Sequence, residues 1–371
     1  MRTFAIFGPK VDRDAYTRVD IQTAEIDDVP VHCGIVETEA PVFDLADAAN
    51  LHKVLIRVLA FSLNYRDKNI IFKMSRKGPG DRVYVIGSEF VAQVLEVGTA
   101  VTELAPGDLV IGNNAYPLSG WDGLQPGIPS NHSSREFQIL HKAKLIKVPE
   151  TMPKDVAAAF SIGGQTTYSM LRRLQLFEGA NVLVTSGKSN TSLFVINALR
   201  RHKVNTYVTS TSRAFESELK AMGVKELCVI PSTMAFDKDS TIANVKKKNG
   251  FHFVIDPYWD LHLSRSIDVM AIGGKYITCG LYDQYLSLIG KPAPASQHTG
   301  HELGCVMMKN LSIIGNCIGT TEDLLNALGD YSAGVLDVVI DSTFTDGNAA
   351  GFLHRCYSAK SRFGKVVYQY T

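Results

Sequence analysis

The sequence carries almost no net charge: 38 Lys and Arg stand against 37 Asp and Glu, leaving +1 at pH 7. No long-range field then favours nucleic acid or an anionic membrane. No stretch approaches the ~20 apolar residues of a membrane span, and Met1-Arg2-Thr3-Phe4-Ala5-Ile6-Phe7-Gly8 lacks the long apolar core of a secretory signal. The six cysteines, at 33, 228, 279, 305, 317 and 356, form no C-x-x-C pair and read as reduced, mostly buried thiols. Repeats and low-complexity segments are missing too, and the longest basic run, Lys246-Lys247-Lys248, reads as the solvated end of a helix. A cytoplasmic protein is expected, with neither nucleic acid nor membrane as partner.

What is present is length and a change of pattern. At 371 residues the chain is about twice a typical domain, so two domains are expected. Residues 1–150 are strand-rich: Val54–Ala60 and Phe90–Val97 are β-type runs bounded by turns, and Pro106-Gly107-Asp108 is a turn signal before Leu109-Val110-Ile111. The stretch 112–134, rich in Gly, Pro, Asn and Ser, reads as a long surface loop. From about Thr151 helices and strands alternate, which predicts a parallel, doubly wound sheet of α/β class. Strands are expected near Leu227–Ile230, Phe251–Ile255, Lys275–Cys279 and Leu311–Ile314. One helix is expected from Arg213 to Met222, and another reaches Met270 before Gly273-Gly274 break it. Thr320 and Asp323 have capping-box spacing ahead of a helix from about Thr321, and Gly364–Tyr368 reads as a strand returning to the first domain.

The centre of the reading is 178–212. The strand Val182–Thr185 enters the loop Ser186-Gly187-Lys188-Ser189-Asn190-Thr191-Ser192, a helix runs from Leu193 to about Arg201, and Val204–Thr209 forms the next strand. That is the opening half of a dinucleotide-binding βαβ unit, whose helix N-terminus suits a pyrophosphate. The usual G-x-G-x-x-G glycines are mostly absent, and only Gly187 remains. A P-loop reading of Gly187-Lys188-Ser189 fails, because its first glycine would fall at Val182.

Together with Asn64-Tyr65-Arg66-Asp67, Gly87-Ser88-Glu89, the Val97–Asp108 glycine pattern, Thr166-x-Tyr168 and the closing Gly-Lys-Val-Val, this loop resembles the medium-chain dehydrogenase/reductase superfamily, in its zinc-free quinone-oxidoreductase and enoyl-reductase branch. The resemblance implies a GroES-like β-rich catalytic domain, 1–150 completed by 318–371, and a Rossmann NADPH-binding domain, 151–317. It also implies no metal. Where zinc-dependent relatives carry Cys, His and a third ligand, this chain has Asn64, Ser88 and a position near Ile162, none of which can serve as a soft or imidazole ligand. The expected reaction is therefore hydride transfer from NADPH to a double bond already polarised by a carbonyl, such as an enone, quinone or enoyl thioester.

By the same resemblance Tyr65 is the candidate proton donor, with Asn64 and Asp67 as further catalytic candidates; the other reading of Asn64 and Asp67, favoured for Asp67, is that they fix a strand-to-helix turn. Cofactor candidates are Thr166, Ser186, Gly187, Lys188, Ser189, Asn190 and Thr191, together with Cys279 and Gly280 at the end of the fifth strand. After the second strand, Thr209, Ser210, Ser212 and Arg213 offer hydroxyls and a cation with no acid, which favours NADPH over NADH. Tyr168 reads either as part of the helix beside the nicotinamide or as plain core. Tyr282–His301 is longer than the family's usual link; its His298-x-x-His301-Glu302 has irregular metal spacing and reads as a solvated loop that shapes the substrate mouth, meets a carrier or supports a homodimer. The expected partner is a small or carrier-bound unsaturated substrate. Two other outcomes stay open: reduction of another polarised bond such as C=N, and a redox-inactive binding protein.

Overall fold

In Lys53–Ser62 the buried residues Val54, Ile56, Val58 and Ala60 alternate with partly exposed ones, the period-2 pattern of a strand with one face inward. The computed structural model that reveals this describes residues 1–16, 19–77, 80–291 and 299–371. His298 lies outside the described residues. Two compact units divide the chain: Met1–Ile162 with Tyr285–Lys291 and Val339–Thr371, and Gly163–Gln284 with Pro292–Val338.

The first unit contains two sheets. One is antiparallel, in the order Val19–Ile26, Val29–Glu37, Arg2–Phe7, Val83–Val85. The larger runs Ile340–Phe344, Lys365–Gln369, Lys53–Ser62, Glu89–Val97, Leu109–Gly112, Leu145–Lys147, with Phe137–His141 also paired to Lys53–Ser62. Phe4, Phe61, Phe352 and Tyr368 meet largely edge-to-face at its core, with ring centroids 5.1–5.8 Å apart. The closing strand sets Val367 opposite Ser62, which carries Lys365 to the end of Lys53–Ser62 where the site begins.

The second unit is a six-stranded parallel sheet in the order Glu226–Val229, Asn205–Ser210, Asn181–Val184, Phe251–Asp256, Met270–Thr278, Ser312–Gly315. In chain order this is 3-2-1-4-5-6, the doubly wound order, with its switch point beside Asn181–Val184. Val182, Leu183 and Val184 are fully buried, as a central parallel strand covered on both faces requires.

Several expectations need correction. The helix after the glycine-poor loop is Asn190–Leu199 and starts before Leu193, because Ser189 caps it. The next helix is only Glu216–Ala221, since Phe215 sits at φ 66. The helix expected to reach Met270 is Trp259–Ile267; Met270 opens the fifth strand, and Gly273 and Gly274 lie inside it where the ladder to Phe251–Asp256 shifts register. Residues 151–162 and 285–291, expected with the second domain, group with the first unit, whereas 318–338, expected with the first, group with the second. There the capping box of Thr320 and Asp323 opens Thr321–Ser332, and Arg172 pairs with Asp323 at 2.8 Å. The segment read as a loop through Glu302 contains the start of the helix Thr299–Met308. Among the described residues, no helix is long and apolar enough to cross a membrane.

Candidate active site

Asn64 lies two residues after the strand Lys53–Ser62 and just ahead of the helix Tyr65–Lys77, whose first turn holds Asp67, so the helix start needs a cap. Asp67 supplies it. Its Oδ2 accepts from the Asn64 amide at 2.8 Å and from Ser88 Oγ at 2.7 Å, and its side chain is buried. Burial pushes the Asp67 carboxyl above its usual range, against the charge of Arg66 and the Ser88 hydroxyl. Glu89, fully buried, is the second hub. Its Oε1 accepts from Asn64 Nδ2 at 3.0 Å and Ser62 Oγ at 2.7 Å, and its Oε2 accepts from the Ile162 amide at 3.0 Å. Asn64, Ser88 and Ile162, the three positions compared with zinc ligands, therefore converge on one network.

The group that completes this network was missed at the sequence level. Lys365, 2% exposed, donates to the Glu89 carboxylate and to Asn64 Oδ1 at 2.9 Å. Its position in Gly-Lys-Val-Val was visible, but only the antiparallel register of the last strand brings it to Asn64. Tyr357 adds a hydrogen bond to the Asn64 carbonyl at 3.0 Å.

Tyr65 opens the helix beside this network. Its ring meets Tyr285 edge-on, with centroids 5.7 Å apart, so a residue of the long 282–301 segment stands against the candidate donor. Lys68, one turn on and 4% exposed, was also missed. Its ammonium lies 4.3 Å over Tyr285, 5.6 Å over Tyr357 and 5.8 Å over Tyr65, bonds the Tyr285 hydroxyl at 2.8 Å, and pairs with Asp27 at 2.7 Å. Burial holds the Lys68 pKa below its ordinary value, with Asp27 pulling the other way.

In the second unit the loop after Asn181–Val184 keeps its shape with hydroxyls. Ser186 is at φ 51, a conformation that usually falls to glycine. Its amide donates to Thr209 Oγ1 at 3.3 Å and its Oγ lies 2.9 Å from His262 Nε2. Arg265, a donor only, lies 3.4 Å from His262 Nδ1, so Nδ1 accepts and Nε2–H points at Ser186. Burial pushes the His262 pKa down to about 3, which keeps the ring neutral. Gly187 bonds the Thr209 carbonyl at 2.8 Å, and a Cβ there would meet Val208 Cγ1 at 2.2 Å. Ser189 caps the helix through Ser192 N at 3.1 Å.

Lys188 Nζ lies 3.3 Å from Ser212 Oγ, so the loop and the end of the second strand meet. Ser210 Oγ accepts from the Ser212 amide at 3.3 Å, while Arg213 is bound to Glu216 at 2.9 and 3.2 Å. Thr166 is buried in the helix Ser161–Leu174. Tyr168, buried and hydrogen-bonded to Asp330, behaves as core. Cys279 and Gly280 follow the fifth strand; burial pushes the Cys279 thiol up to about 12, and a Cβ on Gly280 would meet the Pro257 carbonyl at 2.7 Å. Below them Asp256, fully buried, accepts from Thr185 Oγ1 at 2.6 Å, from Tyr258 N at 2.9 Å and from the Tyr276 hydroxyl; burial raises it to about 6. Glu302 is bonded to Ser264, whereas His301 faces Cys305 and Asp268.

Residues 50–150 match the alcohol dehydrogenase GroES-like domain. The chain is 26% identical over 305 residues to an acryloyl-coenzyme A reductase of Metallosphaera sedula, covering 78% of this chain and 84% of that one. It is 32% identical over 159 residues to a mitochondrial enoyl-[acyl-carrier-protein] reductase of Mus musculus, 41% of this chain and 38% of the mouse protein. Among solved structures, an NAD-dependent alcohol dehydrogenase shares the fold with a TM-score of 0.75 at 22% identity, over 100% of this chain and 99% of its own. With a GroES-like match over residues 50–150, a 3-2-1-4-5-6 parallel sheet and these relatives, the chain is similar to proteins of the medium-chain dehydrogenase/reductase superfamily.

Proposed function

We propose that the protein is a zinc-independent reductase that takes hydride from NADPH and delivers it to a carbonyl-conjugated double bond of an enone, quinone or enoyl thioester. The observation that carries this reading is the network of Asn64, Ser88, Glu89 and Lys365. Its donors are an amide, a hydroxyl and a carboxylate bonded to a buried ammonium, a set that matches no zinc centre of thiolates and imidazoles. A substrate reduced without a Lewis acid must bring its own polarisation.

Two features of the second unit support NADPH: Lys188 beside Ser212 puts a cation at the end of the second strand, where a 2′-phosphate would be met, and the positive end of the helix Asn190–Leu199 favours a pyrophosphate. Bound there, the nicotinamide would supply hydride to the β-carbon, leaving an enolate that takes a proton at the α-carbon. Tyr65 is the proposed source of that proton, with Lys68 over its ring favouring the phenolate it becomes. Asn64 and Asp67 hold the turn that aims Tyr65.

Titration with NADPH and, separately, NADH tests the cofactor half, and product analysis on enone and imine panels tests the chemistry. NADPH-selective binding with saturated ketone products supports the reading; amine products would move it to C=N reduction. Binding of neither nucleotide would sink it in favour of a redox-inactive protein, a reading that the amides of Ser186 and Gly187 support because Thr209 already occupies them.

A further inference from the structure

We infer that Asp268, His301 and Cys305 form a binding site for a single divalent cation of borderline softness, zinc foremost. His301 and Cys305 are four residues apart on Thr299–Met308, so both project from one face, one turn apart. Cys305 Sγ lies 3.6 Å from His301 Nε2, and that nitrogen lies 3.8 Å from Asp268 Oδ1. One ligand atom from each of the three falls within 4.8 Å of the others. Tetrahedral zinc at ordinary bond lengths spaces its donors by roughly 3.3–3.6 Å, so small side-chain rotations bring all three onto one ion.

The framework around the donors is built independently of any ion. Lys309, on the turn after the helix, donates to the carbonyls of Ile267 at 2.8 Å, Asp268 at 3.0 Å and Met270 at 3.3 Å. That ties the backbone carrying Asp268 to the helix carrying the other two ligands. Ser264 and Glu302 link the same two elements through a second hydrogen bond. Such support holds ligands in place at metal sites.

Ligand chemistry selects the ion. A thiolate and an imidazole beside a single carboxylate suit zinc, cobalt or nickel and are poor for magnesium or calcium, which demand oxygen cages. The His301 and Asp268 side chains are 69% and 48% exposed, so water reaches the fourth coordination position. Binding releases the Cys305 thiol proton to solvent, and the two anionic ligands neutralise the ion. The site lies within the second unit and does not rest on the reductase reading.

The test is cobalt(II) titration of chelator-stripped full-length protein. One equivalent is expected to produce a thiolate-to-cobalt charge-transfer absorption that one equivalent of zinc abolishes. Cys305→Ser removes the band, and His301→Ala weakens cobalt binding. Zinc raises the thermal midpoint of the native protein but not of Cys305→Ser, whose midpoint without metal matches the native one and establishes that it is folded. No charge-transfer band, or the same band in Cys305→Ser, would overturn the site.

Discussion

The two polar centres of this protein are made of opposite materials. In the first unit Asp67, Ser88, Glu89 and Lys365 are buried, and both carboxylates and the ammonium have partners inside the protein. In the second, Ser186, Lys188, Ser189, Thr191 and Ser212 are half-buried, and the loop is held by single hydroxyl and amide bonds. Buried charges bind one another into a unit that cannot lose one member cheaply. A half-exposed hydroxyl loop can exchange members, because water replaces each lost bond. The second loop therefore holds its turn with hydroxyls where a left-handed residue such as Ser186 would usually be glycine.

The sharpest way to break the comparison is Lys365→Met, which strands Glu89 without its counter-charge. A loss of about 3–5 kcal/mol in denaturant unfolding is expected, with much of it recovered when Glu89→Gln is added. Equal losses in the single and double variants would show that the pair is not what holds the first centre. Asp256 shows that the second unit has a buried acid of its own. Burial raises its pKa from 3.8 to about 6, so the fold favours the protonated acid. Its contribution is full below pH 4 and is lost as pH rises through 6, a swing of roughly 3 kcal/mol. Thermal midpoints measured against Asp256→Asn from pH 4 to 7 should diverge over that window; a constant offset would mean that Asp256 does not titrate there.

Tyr65→Phe should slow enone reduction by about 100-fold while leaving NADPH affinity unchanged. An unaltered rate, with a deuterated-cofactor isotope effect marking hydride transfer as limiting, removes Tyr65 as donor. The smallest effect belongs to the open centre. Lys188→Ala should weaken NADPH binding about 10-fold, change NADH binding little, and leave unfolding nearly unmoved. A large stability loss there would erase the distinction between the two centres.

Signals confined to neighbouring residues were legible in the sequence. Thr320 and Asp323 form their capping box because the geometry spans three residues. The alternation after Thr151 predicted the parallel sheet, and Asn64 with Asp67 formed the expected turn bond. Signals that depend on distant partners were not legible. Lys365 reaches Asn64 across 301 positions, and Tyr285 reaches Lys68 across 217. Ser186 holds a left-handed conformation through His262, 76 residues on, which no local rule anticipates. Gly273 and Gly274 were misread because a glycine pair signals a helix stop as readily as a strand irregularity.

Gly187 has an evolutionary consequence. The space a methyl would need is already taken by Val208, a buried residue of the neighbouring strand, at 2.2 Å. Selection on the sheet alone is enough to retain this glycine, whatever the loop binds. In a saturation mutagenesis screen scored by abundance, position 187 should behave as intolerant, and Val208→Ala should partly restore Gly187→Ala. Its persistence in a lineage would record the packing of two strands and not the history of a ligand.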